Sequence, residues 1–236
     1  MCGRYTLTSS DERRLGSRFQ ISLDETGESG LGRYNVAPTQ EVLTVQRDRG
    51  AGSPSADGRQ AVLARWGLVP FWAKDLKVGY RMINARAEGL LKSRAYAPLF
   101  KKRDNRCLIL ADGFYEWMKA ENPKSPKQPV RFTVDGGEPF AFAGLATTRE
   151  WEGEDLTSCA IITTDANEEV ARVHDRMPVI LPDAEAEAAW MSGELDPEEA
   201  VSLCRPLDAA RITAKPASTS VSKVGGSKEG PEMLEA

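Results

Sequence analysis

The chain has 236 residues, with 31 Lys+Arg against 35 Asp+Glu and 41% hydrophobic residues, the make-up of a soluble globular protein able to bury a sizeable core. No run reaches the roughly 18 consecutive apolar residues of a membrane helix, and MCGRYTLTSS has no basic segment followed by an apolar one, so a cytoplasmic address without a membrane partner is expected. Four scattered cysteines, Cys2, Cys107, Cys159 and Cys204, and a single histidine, His174, argue against a Cys/His zinc site and a disulfide framework, and neither a metal nor another cofactor is expected.

The net charge of −4 hides an asymmetry: Arg59 to Arg131 holds 16 basic and 6 acidic residues, leaving 15 basic and 29 acidic elsewhere. A basic middle in an acidic chain suggests a local anion-binding face, but Lys101, Lys102 and Arg103 read rather as solvated helix and strand surface.

In chain order, SSDERRLGSRF predicts a short amphipathic helix opened by a capping Ser and early acids. A loop over 24–33, a strand over Glu41 to Gln46 and a hairpin tip over Arg49 to Gly58 come next. A strand then enters WGLVPFW, GLLKSRAYAPLFKKR reads as a helix interrupted by Pro98, and RCLILADGFYEW reads as one buried strand leaving the core. Strands around Phe132, Phe140 to Ala146 and Cys159 to Thr164 are followed by helices over Asn167 to Val173, Asp183 to Met191 with Gly193 as a stop, and Asp196 to Cys204. Without regular βα alternation, this order favours α+β over a doubly wound sheet. One domain over 1–216 is expected, with 217–236 as a weakly docked or disordered tail poor in core formers.

Cys2 carries the most distinctive chemistry. Removal of Met1 would leave a terminal 1,2-aminothiol whose α-amine, with a pKa of about 8, can attack an aldehyde to give a Schiff base that the thiol closes to a thiazolidine. The same terminus could instead attack an amide through its thiolate. Five further segments combine polar groups with rigid or aromatic neighbours: RYNVAP (33–38), WGLVPFW (66–72), INARAEG (83–89), DGFYEW (112–117) and HDRMP (174–178). Each alone has a plain structural explanation, Glu116 as the outward position of a strand, His174 as a helix cap, Asn84 as a turn residue and the tryptophans as core.

Together, in this order and after MCGRY, these segments closely resemble the SRAP (SOS-response-associated peptidase) family of abasic-site processing proteins, from Cys2 to about Leu181 and more weakly over the tail. The resemblance implies an α+β fold with a mixed, partly barrel-like β core flanked by helices. It implies a sensor and shield of abasic sites in single-stranded DNA, acting through a covalent crosslink to the terminal cysteine. Cys2 would be the nucleophile, Glu116 the general acid/base, Asn84 the group orienting the amine or sugar hydroxyl, and His174 the stabiliser of the opened sugar or a proton relay. Arg4, Arg86 and Arg176 would meet phosphates, Trp66, Phe71 and Trp72 would form an aromatic wedge, and Asn35, Pro38 and Thr163 would line the nucleotide path. A structural anchoring role for Trp66 stays open beside the stacking one. A monomer associated with DNA is the simplest expectation, with removal of Met1 and limited strand cleavage as side activities. Near the tail, Val224 is followed by Gly225 where relatives often have Asn, so no tail contact to DNA is assigned. Two other classes compete: an N-terminal-nucleophile glutamine amidotransferase, although the chain has no Asn-Gly dipeptide and no room for a synthetase domain, and a non-catalytic single-strand-binding module.

Overall fold

The computed structural model describes residues 2–23, 30–48, 58–119, 125–224 and 229–236. Its centre is a closed barrel of five strands: β3 (Glu41–Arg47), β4 (Arg59–Trp66), β6 (Arg106–Ala111), β9 (Phe140–Trp151) and β10 (Glu154–Asp165). β3 pairs antiparallel with β4 and β6, β6 with β9 and β9 with β10, and a parallel β10–β4 pairing closes the ring. The far half of β10 leaves the ring to pair with β5 (Asn84–Arg86) and β11 (Arg176–Pro178). A second sheet runs β12-β8-β7-β1-β2, made of β12 (Ile212–Pro216), β8 (Gln128–Val134), β7 (Gly113–Met118), β1 (Tyr5–Leu7) and β2 (Arg33–Val36).

The continuous apolar run of β6 follows from burial on both faces. Cys107, Ile109 and Ala111 pack in the core between barrel and second sheet, while Leu108 and Leu110 face a second core with Leu15, Phe19, Phe100 and Trp190. The first core is aromatic: Tyr5 meets Trp66 and Phe142 edge-on at centroid distances of 5.2 and 5.6 Å. The second is covered by α1 (Glu12–Phe19), α2 (Ala97–Phe100), α4 (Ala184–Ser192) and α5 (Pro197–Ser202), with α3 (Glu168–Ala171) packing near β11 and β12.

The α+β barrel core expected from the sequence is present, with local corrections. The cap of α1 is Asp11, whose carboxylate accepts from the Arg14 N–H, rather than a serine. Pro98 sits in the first turn of α2 and opens it, since its missing N–H costs nothing there. RCLILADGFYEW is two strands in different sheets, divided at Asp112. The tail is docked: Ala217, Val221 and Met233 pack with the buried Tyr115, and the Glu229 carboxylate accepts from the N–H groups of Tyr34 and Asn35. Positions 24–29 of the loop expected over 24–33, and 49–57 of the hairpin tip expected over 49–58, lie outside the described residues.

Candidate functional site

The second sheet and the extension of β10 bring the chemistry-bearing segments together. Tyr5 lies opposite Phe114 in the antiparallel β1–β7 pair, and the Tyr115 N–H donates to the Arg4 carbonyl at 3.0 Å, which carries the chain from Arg4 back to Cys2 along β7 towards Glu116. From the other side β5, parallel to β10, presents Asn84, whose side-chain Nδ2 donates to the Cys2 carbonyl at 2.8 Å. Cys2 is thereby pinned between the two sheets and is 0% exposed. The Asn84 Oδ1 is buried and has no hydrogen-bond partner among the described residues, leaving an acceptor beside Cys2.

Burial, reinforced by the negative charge of Glu116, pushes the Cys2 thiol well above its ordinary range, so the thiol is held protonated. Burial also pushes the Glu116 carboxyl up to about 7, and the negative charge of Asp175 adds to the rise. A carboxyl poised near neutrality is suited to both giving and taking a proton.

His174 follows α3, where its backbone N–H donates to the Val170 carbonyl. Its Nδ1 lies 3.0 Å both from the Arg176 N–H and from Asp175 Oδ1. The Asp175 side chain is 88% exposed and solvated, so the backbone donor governs and Nδ1 acts as the acceptor. Burial moves the imidazole below its ordinary value, leaving it neutral with the proton on Nε2.

The expected phosphate-binding arginines separate into two kinds. Arg176 is held through both terminal nitrogens: Nη1 donates to Glu88 and Asp165 at 2.7 and 2.6 Å, and Nη2 to Glu88 and the Thr163 carbonyl. Arg4 is half-buried, donates to the Gly3 carbonyl and has no carboxylate partner among the described residues, while Arg86 is exposed. Thr163 is fully buried and its hydroxyl lacks a hydrogen-bond partner among the described residues.

The aromatic residues separate as well. Trp66 is 0% exposed and its indole N–H donates to the Ile83 carbonyl at 3.0 Å. It offers no face to a base; its packing against Tyr5 and its bond to Ile83 instead seat the start of β5. Phe71 and Trp72 are 79% and 52% exposed. Their loop is closed at its base where Gly67 and Gly79 touch: a Cβ at Gly67, φ +131°, would fall 2.8 Å from the Gly79 carbonyl oxygen. The Leu68 N–H reaches the Met82 carbonyl, and Arg149 Nη1 donates to the carbonyls of Pro70 and Ala73. Asn35 is buried, with Nδ2 bonded to the Lys223 carbonyl at the edge of the docked tail, and Pro38 follows β2 half-buried.

Sequence reasoning missed three supporting residues. Tyr96 donates to the Asn84 backbone carbonyl at 3.0 Å, burial pushing its phenol up to about 12 and keeping it a donor; Arg149 clamps the aromatic loop; Glu88 holds Arg176. Glu88 lies within INARAEG, but no spacing pairs Tyr96 with Asn84. Among the described residues, no group of three or more His, Cys, Asp or Glu side chains is placed to hold a metal, and no helix is long and apolar enough to cross a membrane.

A mixed barrel with a second sheet that holds the second residue of the chain against an amide and a buried acid has relatives. A protein from Bacteroides thetaiotaomicron superposes with a TM-score of 0.82 over 100% of both chains at 22% identity, a likeness of fold. The family model of SOS response associated peptidase (SRAP) matches residues 1–224, and the chain belongs to that family. It is 42% identical to abasic site processing protein YoqW of Bacillus subtilis (strain 168), covering 100% of each chain. It is 36% identical to abasic site processing protein HMCES of Gallus gallus, over 85% of this chain and 65% of that one.

Proposed function

We propose that the protein captures abasic sites in single-stranded DNA by forming a covalent thiazolidine through Cys2 after loss of Met1. The observation that carries this reading is the placement of Cys2 between the Asn84 amide and the charge of Glu116, whose carboxyl sits near 7. The names of the relatives, abasic site processing proteins, support the substrate.

The first step is hydrolysis of the Met1–Cys2 peptide, which frees the α-amine. An abasic sugar in its opened form presents an aldehyde, and the amine adds to its carbon to give a carbinolamine that loses water to an iminium ion. The Cys2 sulfur then attacks the same carbon and closes the five-membered ring. Glu116 donates the proton that helps hydroxide leave and takes the thiol proton on closure, so the acid is restored. Asn84 Oδ1 accepts from the amine, and neutral His174 offers its Nε2 proton to the ring oxygen of the sugar as it opens. β-Elimination from the iminium before the sulfur closes would nick the strand, a side activity.

Arg4 and Arg86 are assigned to the flanking phosphates; Arg176 joins them to the extent that Glu88 or Asp165 releases it. Phe71 and Trp72 form the wedge, each stacked base contributing about 1–3 kcal/mol, and Asn35, Pro38 and Thr163 line the path. A protonated thiol disfavours the thiolate-first attack that an amidotransferase needs.

The test is intact-mass analysis after incubation with single-stranded DNA carrying one abasic site. The expected product is one protein lacking Met1 plus one strand less one water, absent with Cys2→Ala or intact DNA. No such product from protein that has demonstrably lost Met1 overturns the reading and makes glutamine hydrolysis the next assay.

A further inference from the structure

β2 is the outer strand of the second sheet, and its pairing with β1 slips. Val36 lies opposite Tyr5 and Arg33 opposite Leu7, so three steps along β2 are matched by two along β1. Successive N–H groups of a regular strand point to opposite sides. At this bulge the N–H groups of Tyr34 and Asn35 instead reach one oxygen, Oε1 of Glu229, at 3.0 and 2.8 Å. Arg33 Nε lies 3.6 Å from the same atom, and the guanidinium is steadied by its Nη2 bond to Gln40 Oε1, which also accepts from the Ala37 N–H. Two adjacent backbone donors and a guanidinium that converge on one oxygen have the geometry of an anion seat, held on a strand whose register fixes it.

Glu229 fills that seat from the tail, yet the tail does not depend on it for anchorage. Val221 and Met233, on either side of Glu229 in sequence, are buried with Tyr115, and Trp117 Nε1 donates to Ser222 Oγ at 2.9 Å. The Arg33 and Glu229 side chains are both partly exposed, so solutes reach the contact while the anchors stay sealed. The carboxylate can therefore leave the seat without undocking the tail.

The seat also lies beside the start of the chain. Val36 pairs with Tyr5, and Arg4, which precedes Tyr5, has no carboxylate partner among the described residues. A phosphodiester carries the same single negative charge as a carboxylate and offers two terminal oxygens to the same donors, so the position that Glu229 takes suits a phosphate group.

We propose that the N–H groups of Tyr34 and Asn35, with Arg33, form a phosphate seat that Glu229 closes in the free protein and that an incoming phosphate opens by displacing the carboxylate. The phosphate has two possible sources, the backbone of a bound single strand, which rests on the reading of the protein as a DNA binder, and free inorganic phosphate. In either case the tail is a brake: a tethered competitor acts at an effective concentration on the order of millimolar and lowers the affinity for any ligand of the same seat.

The test measures binding of full-length protein to an undamaged single strand by fluorescence anisotropy over a range of salt, beside thermal melts with and without inorganic phosphate. Glu229→Ala should bind the strand about fivefold more tightly than wild type. Its salt dependence should steepen by roughly 0.7, the mark of one more phosphate contact on a single strand. Glu229→Gln, which keeps an acceptor for the two N–H groups and drops the charge, should gain less, and it carries the comparison if the melts show Glu229→Ala to be unfolded. Adding Arg33→Ala to Glu229→Ala should cancel the gain. Glu232→Ala removes the same charge from the same exposed stretch outside the seat, and an equal gain there would mark a general field effect and overturn the proposal. Unchanged strand affinity in the Glu229 variants, with no rise in their melting temperature on adding inorganic phosphate, overturns it as well. A phosphate-dependent rise confined to those variants, without a gain on DNA, upholds the seat and assigns it to free phosphate. Wild type assayed in parallel for the covalent product on abasic DNA keeps the two readings apart: failure there removes the Cys2 chemistry and leaves these comparisons to decide the seat.

Discussion

Asp112 and Glu116 lie four residues apart, are 2% and 3% exposed, and live in opposite chemical circumstances. The Asp112 oxygens accept from the hydroxyls of Thr6 and Thr8, the N–H groups of Thr8 and Ser9, and the Arg131 guanidinium at 3.2 Å. Every donor belongs to β1, its flank or β8, so the carboxylate joins strands of the second sheet. Glu116 is pushed up to about 7 by burial. A buried acid matched by donors from its own sheet holds a fold together; one whose carboxyl is pushed near neutrality by burial is suited to proton exchange.

The sharpest way to break this contrast is Glu116→Gln, which keeps shape and removes acid/base capacity. Single-turnover crosslinking should slow by about 10²- to 10⁴-fold with no loss of thermal stability; a normal rate would remove the acid/base assignment. Asp112→Ala should do the reverse, costing about 3–5 kcal/mol in denaturant unfolding because Arg131 and the hydroxyls are left buried and unmatched. Crosslinking per folded molecule should stay close to wild type, and a specific rate defect in folded Asp112→Ala would blur the distinction.

Acidity provides a milder probe. The Glu116 carboxyl titrates higher in the fold than in the unfolded chain, so the neutral form suits the native state. The associated stability is fully present below about 4.5 and is lost as pH rises through about 7. Glu116→Gln should therefore gain on the order of 2–3 kcal/mol over wild type at pH 8 and nothing at pH 4, measured by paired urea titrations. The crosslinking rate should bend near the same pH, and a profile flat through neutrality would contradict it. The smallest effect is expected at Tyr96→Phe, which removes the donor to the Asn84 carbonyl at a cost of about 1 kcal/mol. As a positioning residue it should lower the crosslinking rate severalfold at saturating DNA while leaving DNA affinity unchanged; equal weakening of affinity would assign it to binding instead.

Much of this was readable in the residues themselves, because strands buried on both faces and capped helices write themselves as apolar runs and Asp or Gly stops. RCLILA and AFAGLA are strands for that reason, and Asp183 and Gly193 bracket α4 as expected. The split of RCLILADGFYEW was hidden: the turn at Asp112 is made by bonds to Thr6 and Thr8, more than a hundred positions away. The docked tail was hidden likewise, since Ala217, Val221 and Met233 bury against Tyr115 while Glu229 and Ser222 bond to β2 and β7, all partners far away in sequence. Residue type and motif single out Asn84, Glu116 and His174 as candidates, but whether an arginine is engaged or available depends on carboxylates brought by other strands. Arg176 and Arg4 look alike on paper and differ only once Glu88 and Asp165 are folded around the former.

The complete burial of Cys2 bears on time as well as on reactivity. In the proposed linkage, a bond at a carbon wedged between two sheets would be screened from bulk water, so its hydrolysis would have to wait for the start of the chain to peel away from β7. The persistence of the linkage would then be governed by a local opening of β1, making its half-life a mechanical property of the sheet edge that strengthens or weakens with every contact along that seam.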